Sequence, residues 1–209
     1  MTATATAPKK QPPILNIANQ LTAARLVLGI ILFVLIEYEL WIASIVIFAL
    51  AAFSDWLDGY LARVQNLTST LGRNLDPLVD KVVICGAYIF LMHNPKAFIT
   101  PWMVVVLVSR ELIITSLRSF LENQGAEFGA EWLGKIKMVL QCAALFAIFL
   151  ALEGSAVKTA EPEAYPDWVF TSLDWLREIM VWGMLTSTAL SGLQYLWKAF
   201  ALLKKNEET

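Results

Sequence analysis

Six long apolar stretches alternate with short polar segments along the chain. They lie at residues 21–36, 41–60, 71–92, 98–121, 133–152 and 179–203. Crossing the hydrocarbon core of a bilayer takes about 17 to 25 residues of α-helix, and a backbone surrounded by lipid must satisfy its own hydrogen bonds. The pattern therefore predicts an all-α polytopic membrane protein with six transmembrane helices.

The two ends of the chain are polar. Residues 1–13 are rich in Thr, Pro and Lys and contain no apolar segment followed by a small-residue cleavage site, so they are predicted to be a disordered tail and not a signal peptide. Residues 204–209 form a second polar tail. The segment between the tails, 14–203, is predicted to be one membrane domain.

The overall composition agrees with this class. Hydrophobic residues make up 57% of the chain and charged residues 16%, whereas soluble domains average about 25% charged residues. The formal net charge of -2 gives no indication of a nucleic-acid partner.

Lys and Arg are distributed unequally between the two predicted membrane faces. The face that holds both termini has 12 of the 16 cationic residues and the opposite face has three, with Arg110 inside the fourth stretch. Because cytoplasmic loops carry the excess of Lys and Arg, both termini are predicted to be cytoplasmic. Residues 153–178 then form an acidic loop on the opposite face.

Four aspartates flank the segment that joins the second and third apolar stretches. Asp55 and Asp58 are three residues apart near the end of the second predicted helix, and Asp76 and Asp80 are four apart near the start of the third. Positions three or four apart share one helix face. Two such faces turned toward each other would gather four carboxylates into one cluster at the cytoplasmic side.

A cluster of four carboxylates needs cations, because one acidic residue at the centre of a membrane helix costs about 2.5 to 3.5 kcal/mol on insertion scales. Oxygen ligands without His or Cys suit Mg²⁺ or Mn²⁺. Two such ions about 3.5 to 4 Å apart form a common arrangement for displacement at phosphorus. The segment therefore predicts a site for two Mg²⁺ or Mn²⁺ ions.

Eight positions in this segment carry a resemblance to a known family. They are Asp55, Asp58, Gly59, Ala62, Arg63, Gly72, Asp76 and Asp80. At this spacing they match without departure the signature of the CDP-alcohol phosphotransferase family, and the six-helix layout extends the resemblance over nearly the whole chain. The resemblance implies transfer of a phosphatidyl or similar group from a CDP-linked donor to an alcohol, with release of CMP. It also implies a homodimer.

The resemblance further implies a role for each aspartate. Asp55, Asp58 and Asp76 would bind the first metal ion. Asp55, Asp76 and Asp80 would bind the second. Asp80 would also act as the base that takes the proton from the acceptor hydroxyl.

Donor contacts are predicted from the same signature and from the N-terminal segment. Residues 16–29 resemble the opening of the bacterial family members that use glycerol 3-phosphate, in which a short interfacial helix leads into the first transmembrane helix. Within this segment three polar residues recur every third position, near the membrane mouth. Together with positions that match the family's contacts to CDP, they give six predicted donor-binding residues: Asn19, Thr22, Arg25, Gly59, Arg63 and Ser69.

Acceptor contacts are predicted from four cations on the fourth and fifth stretches, three of them near the cytoplasmic ends. Residues 109–118 and 134–138 resemble segments of the same subfamily, although Met138 stands where a Thr is expected. A phosphate monoester needs Arg forks or Lys point charges that converge beside the metals. The cations predicted to supply them are Arg110, Arg118, Lys135 and Lys137.

Arg110 also requires a partner inside the membrane. It lies about nine residues beyond Pro101, which places it on the order of 14 Å into a core about 30 Å thick. Adjacent helix positions point apart, so Glu111 is not expected to be that partner. A buried ion pair with another helix and a phosphate pocket are the two interpretations, and the neighbouring cations favour the pocket.

The predicted reaction joins CDP-diacylglycerol and glycerol 3-phosphate to give phosphatidylglycerol phosphate and CMP at a bacterial-type inner membrane. A cardiolipin synthase, or another family member with a different alcohol acceptor, is one alternative; a lipid acceptor would need no pocket for a free phosphate monoester. A divalent-cation transporter is a second alternative. It would distribute acidic residues through the membrane depth, whereas all four aspartates lie near one face.

Overall fold

The fold was analysed in a computed structural model, which describes residues 17–65, 70–123, 132–163 and 165–207. Side chains are described for residues 20, 22–54, 78–121, 132, 134–163 and 165–200. The described part of the chain contains six α-helices and no strand. They are α1 (Ile17–Glu37), α2 (Trp41–Gln65), α3 (Thr70–Leu91), α4 (Pro101–Asn123), α5 (Trp132–Ala160) and α6 (Asp167–Glu207). The predicted all-α class and the six helices are confirmed.

The membrane-spanning character of these helices is a separate question. Among the described residues, one helical segment, Gly134–Ala160 of α5, is both long and apolar enough to cross a membrane, and Trp41–Ser54 is a shorter apolar segment. The other helices carry charged residues within their apolar stretches, as α4 does at Arg110 and Glu111.

Three boundaries differ from the apolar pattern. Residues 17–37 form one continuous helix, so within the described residues no separate interfacial helix precedes α1. Helix α4 begins at Pro101 because Phe98 has a left-handed backbone with φ of 59°, which cannot continue a helix. Most of the predicted acidic loop, 153–178, is helical, because α5 continues to Ala160 and α6 begins at Asp167.

The α5–α6 hairpin is joined at its tip by an ion pair. Lys158 Nζ lies 2.8 Å from Asp167 Oδ1. This hydrogen bond and the charge of Lys158 lower the pKa of the exposed Asp167 carboxyl. At 1.5 Å per residue, the 41 residues of α6 span about 61 Å, so this helix is about twice as long as a bilayer core is thick.

The packing forms two groups of helices. Helix α1 packs against α2 and α3, and α6 packs against α4 and α5. Contacts of α2 with α5 and of α3 with α4 connect the groups. The shared core contains Tyr88, Leu107, Leu145, Phe149 and Met184, each at most 1% exposed.

Two glycines allow α1 and α3 to approach closely. A Cβ added to Gly29 would lie 2.6 Å from Val83 Cγ2, and one added to Gly86 would lie 2.3 Å from Phe33 Cζ. Val83 of α3 therefore occupies the space beside Gly29 of α1, and Phe33 of α1 occupies the space beside Gly86 of α3. Gly29 is one turn beyond Arg25, so this packing also sets the position of Arg25 relative to α3.

Replacing Gly29 with alanine is expected to lower the free energy of unfolding by about 1 to 3 kcal/mol, the usual cost of overpacking. Val83 is β-branched and buried, so its side chain has little freedom to move aside in a helix. The measurement is thermal unfolding of the purified protein in detergent. Gly183→Ala is the matched control, because a Cβ there meets nothing within 4 Å and alanine favours the helix. Equal stability of the two variants would contradict the close packing.

Candidate active site

Asp80, the predicted base, forms a partly buried ion pair with Arg25 of α1. Arg25 Nη1 lies 2.6 Å from Asp80 Oδ1, and the exposed fractions of the two side chains are 3% and 22%. Arg25 is one of the predicted donor-binding residues, and the structure gives it Asp80 as a partner. Thr22, one turn earlier on α1, is also buried.

Two cavities meet at Asp80. The first, here called the polar cavity, has a volume of about 170 Å³ and is built from α3, α4 and α5. Its wall combines five polar or charged residues with three others: Asp80, Lys81, Glu111, Lys137 and Gln141, with Ile84, Cys85 and Met138. The second has a volume of about 310 Å³ and a mainly apolar wall that includes Phe48, Ala51, Val83 and Val139 beside Arg25. Asp80, Ile84 and Met138 belong to both walls, so the carboxylate stands between a polar and an apolar space.

Glu111 is the centre of a buried polar network in the wall of the polar cavity. Its Oε1 accepts a hydrogen bond from Lys137 Nζ and one from Arg110 Nη1 at 3.2 Å. Gln141 Nε2 lies 3.5 Å from the same oxygen. Glu111 is 5% and Lys137 6% exposed, so two opposite charges are paired away from water.

The expectation that Glu111 is not the partner of Arg110 is wrong. Adjacent Cα–Cβ vectors on α4 do point apart, but both side chains are long, and the guanidinium reaches the neighbouring carboxylate. Arg110 also reaches another helix, because its Nη2 donates to Ser191 Oγ at 3.0 Å and its guanidinium lies 5.7 Å from the centre of the Tyr195 ring. Arg110 therefore links α4 to α6.

Of the four predicted acceptor cations, the structure brings Arg110 and Lys137 to the same oxygen, Glu111 Oε1. Lys137 lies in the wall of the polar cavity. The described part of this wall does not include Arg110, Arg118 or Lys135. Arg118 is half-buried and Lys135 is exposed. The roles of these three remain predictions.

Sequence analysis missed three polar residues of the cavity wall. They are Lys81, Glu111 and Gln141. Lys81 Nζ donates to Thr115 Oγ1, which in turn donates to the backbone carbonyl of Glu111 at 2.6 Å. Gln141 is one turn beyond Lys137, so helical spacing was the available signal for Gln141, whereas Lys81 and Glu111 are not at such a spacing from a residue already predicted on their helices.

Several predicted site residues have side chains outside the described part of the chain. This holds for Asn19 on α1 and for the signature residues Asp55, Asp58, Gly59, Arg63 and Asp76. Ser69 lies entirely outside it. The helix bounds nevertheless fix distances along the axes: Asp55 is ten residues before the end of α2, and Asp80 is ten residues after the start of α3. At 1.5 Å per residue, both lie about 15 Å from the connection between the helices.

The chemistry of the predicted ligand set can be tested against a divalent ion. Among the described side chains, no group of three or more His, Cys, Asp or Glu could hold a metal, and of the four predicted ligands only Asp80 belongs to that part. Arg25 Nη1 lies 2.6 Å from Oδ1 of this carboxylate, so Arg25 already supplies one positive charge at this position. Four carboxylates provide the oxygen ligands that Mg²⁺ and Mn²⁺ prefer, so the set fits these ions.

Comparison with known proteins adds an independent observation. Residues 15–190 match the family described as CDP-alcohol phosphatidyltransferase. The chain is 31% identical over 204 residues to a Bacillus subtilis (strain 168) protein named CDP-diacylglycerol--glycerol-3-phosphate 3-phosphatidyltransferase, covering 90% of this chain and 97% of that relative. Proteins of the same name from Haemophilus influenzae and Escherichia coli (strain K12) are 36% and 35% identical over 137 and 136 residues, covering 62% of this chain and 73% and 74% of the relatives.

Proposed function

The chain belongs to the CDP-alcohol phosphatidyltransferase family, and from this premise we propose that it transfers the phosphatidyl group of CDP-diacylglycerol to glycerol 3-phosphate. The products are phosphatidylglycerol phosphate and CMP. The chain is thus a transferase of phospholipid biosynthesis. The structural observation that carries the acceptor assignment is the polar cavity, whose wall combines Asp80 with Lys81 and Lys137.

The proposed reaction is a displacement at the phosphatidyl phosphorus. The acceptor hydroxyl oxygen attacks that phosphorus, and Asp80 takes the hydroxyl proton, a task that needs hydrogen-bond reach to the attacking oxygen. The new P–O bond replaces the bond to the CMP phosphate, and CMP leaves. Lys81 and Lys137 bind the phosphate monoester of the acceptor, since ammonium groups act as point charges toward phosphate.

The four aspartates are proposed to act together as the metal site. Asp55 and Asp80 lie at equal axial distances from the connection between α2 and α3, and Asp58 and Asp76 are nearly matched as well, at seven and six residues. An antiparallel arrangement of α2 and α3 would bring such positions to one level. When bound, two Mg²⁺ or Mn²⁺ ions neutralise the pyrophosphate and the leaving CMP.

The donor is proposed to bind on the other side of Asp80. The apolar cavity beside Arg25 and Asp80 suits the hydrocarbon part of CDP-diacylglycerol, and Arg25 would reach the donor phosphate from the cavity wall. The remaining predicted contacts to the CDP part are Asn19, Thr22, Gly59, Arg63 and Ser69.

The membrane arrangement is also a proposal. Six spanning helices, with the termini and active site at the cytoplasmic face, follow from the placement of 12 of 16 cationic residues on one side. Cysteines introduced at positions 67 and 204 should be protected from an impermeant reagent outside intact cells, and one at position 163 should react. The reverse labelling would place the aspartates on the wrong side for cytoplasmic CDP substrates.

A homodimer, implied by the family resemblance, is proposed as well.

The function is tested by supplying purified protein and Mg²⁺ with CDP-diacylglycerol and one candidate alcohol at a time. We expect CMP release with glycerol 3-phosphate, together with phosphatidylglycerol phosphate in equal amount. Release with phosphatidylglycerol but not with glycerol 3-phosphate would identify a cardiolipin synthase. Absence of release with every alcohol, in protein that remains folded, would overturn the proposed activity.

A further inference from the structure

Glu111 is a buried acidic residue that the proposed reaction does not use. A phosphate-binding cavity gains nothing from a negative charge in its wall, yet this carboxylate is 5% exposed and lies beside Lys137. Two further donors, from Arg110 and Gln141, reach the same oxygen. The arrangement directs three side chains toward one atom of Glu111.

We propose that Glu111 is a positioning residue that holds Lys137 Nζ at the cavity wall, so that a phosphate-bearing acceptor is bound with its hydroxyl beside Asp80. The inference rests on the proposed function, because it concerns the acceptor site of that reaction. Lys137 and Asp80 lie in the same wall, on α5 and α3. The distance between the bound phosphate and the reacting hydroxyl therefore depends on where the lysine is held.

The contacts of Glu111 with Lys137 and with Arg110 support this role. A lysine ammonium has three donors, and one of them is directed to Glu111, which leaves the others for a ligand. Glu111 is in turn held by Arg110, whose second nitrogen donates to Ser191 of α6 at 3.0 Å. Lysine has a flexible four-carbon stem. A carboxylate that is itself held in place, such as Glu111, therefore fixes the position of the Lys137 ammonium.

Charge and position give opposite expectations for one substitution. If Glu111 acted only through its charge, Glu111→Gln would make the cavity more positive and would lower the KM for glycerol 3-phosphate. If Glu111 positions Lys137, the same change weakens the contact that holds the ammonium and raises this KM. The sign of the change decides between the two roles.

The experiment compares Glu111→Gln and Glu111→Asp with wild-type protein. Aspartate keeps the charge but withdraws the carboxylate by one methylene. We expect both variants to raise the KM for glycerol 3-phosphate about tenfold, which corresponds to the lower end of the free-energy range for one charge-assisted hydrogen bond. The KM for CDP-diacylglycerol should stay within about twofold of the wild-type value. Glu178→Gln is the matched control. Glu178 also lies next to an arginine, 3.7 Å from Arg177 Nη2, but it is on α6 and does not belong to the wall of the polar cavity. This substitution should change neither KM.

Coupling to Lys137 makes the test specific. In a Lys137→Met background, Glu111→Gln should have no further effect on the KM for glycerol 3-phosphate. A lowered acceptor KM in Glu111→Gln, full additivity of the two substitutions, or equal changes in both KM values would each overturn the proposal. Glu111→Asp supplies the same test if the glutamine variant does not fold. Failure of the proposed function is distinct, because wild-type protein would then release no CMP with glycerol 3-phosphate.

Discussion

Replacing Asp80 with asparagine is expected to lower kcat for CMP release by about a hundredfold to ten-thousandfold, the usual contribution of a positioned general base. Asparagine has nearly the same shape as aspartate, but it carries no charge and cannot accept the hydroxyl proton. The carboxylate stands where the polar and apolar cavities meet, so its loss affects the reacting centre. Single-turnover CMP release measures the chemical step.

Asp174→Asn is the control for this substitution. Asp174 also pairs with an arginine, since its Oδ1 lies 3.0 Å from Arg177 Nη1, but it is located on α6 away from both cavities. The control variant should release CMP at the wild-type rate. Residual activity of Asp80→Asn within tenfold of wild type would remove Asp80 as the base. Combining Asp80→Asn with Asn at Asp55, Asp58 or Asp76 should add little, because residues that act as one unit are strongly non-additive.

Removing divalent ions with a chelator is expected to reduce CMP release to background, and adding Mg²⁺ or Mn²⁺ is expected to restore it. The physical reason is that the donor pyrophosphate and the four aspartates are all anionic, so they require bridging cations to approach each other. The activity assay is accompanied by Mn²⁺ binding measured by electron paramagnetic resonance. Asp80→Asn should weaken that binding, whereas Asp174→Asn should not. Sustained turnover in metal-free protein would contradict the two-metal proposal.

The helices and the position of Asp80 on α3 were accessible from the sequence, because both depend on local periodicity. Apolar stretches gave all six helices, and helical spacing placed Asp80 on α3. The length of the α5–α6 hairpin was not accessible: residues 153–160 and 167–178 mix polar and apolar positions, so they do not stand out as part of a continuous apolar stretch. Contacts such as Gly154 against Leu173, where an added Cβ would lie 2.8 Å from Cδ1, support these extensions.

The partners of the buried charges were the least accessible part of the site. Spacing rules compare Cβ directions, and by that measure Glu111 and Arg110 point apart. The structure shows them 3.2 Å apart at their tips, because long side chains curve toward an opposite charge when no water is available. The pairing of Arg25 with Asp80, 55 positions later, likewise depends on how α1 packs against α3.

The division of the helices into two groups has a consequence for biogenesis. The ribosome delivers the chain from its N-terminus, so α1, α2 and α3 are complete at Leu91, before Glu111 and Lys137 have been synthesised. In the proposed membrane arrangement, the carboxylate of Asp80 lies during that interval in a lipid-inserted segment, where an unpaired charge is costly. Arg25 belongs to the same early group and contacts it. The nascent chain therefore carries a counter-ion for the carboxylate of Asp80, the proposed base, from the moment these helices assemble.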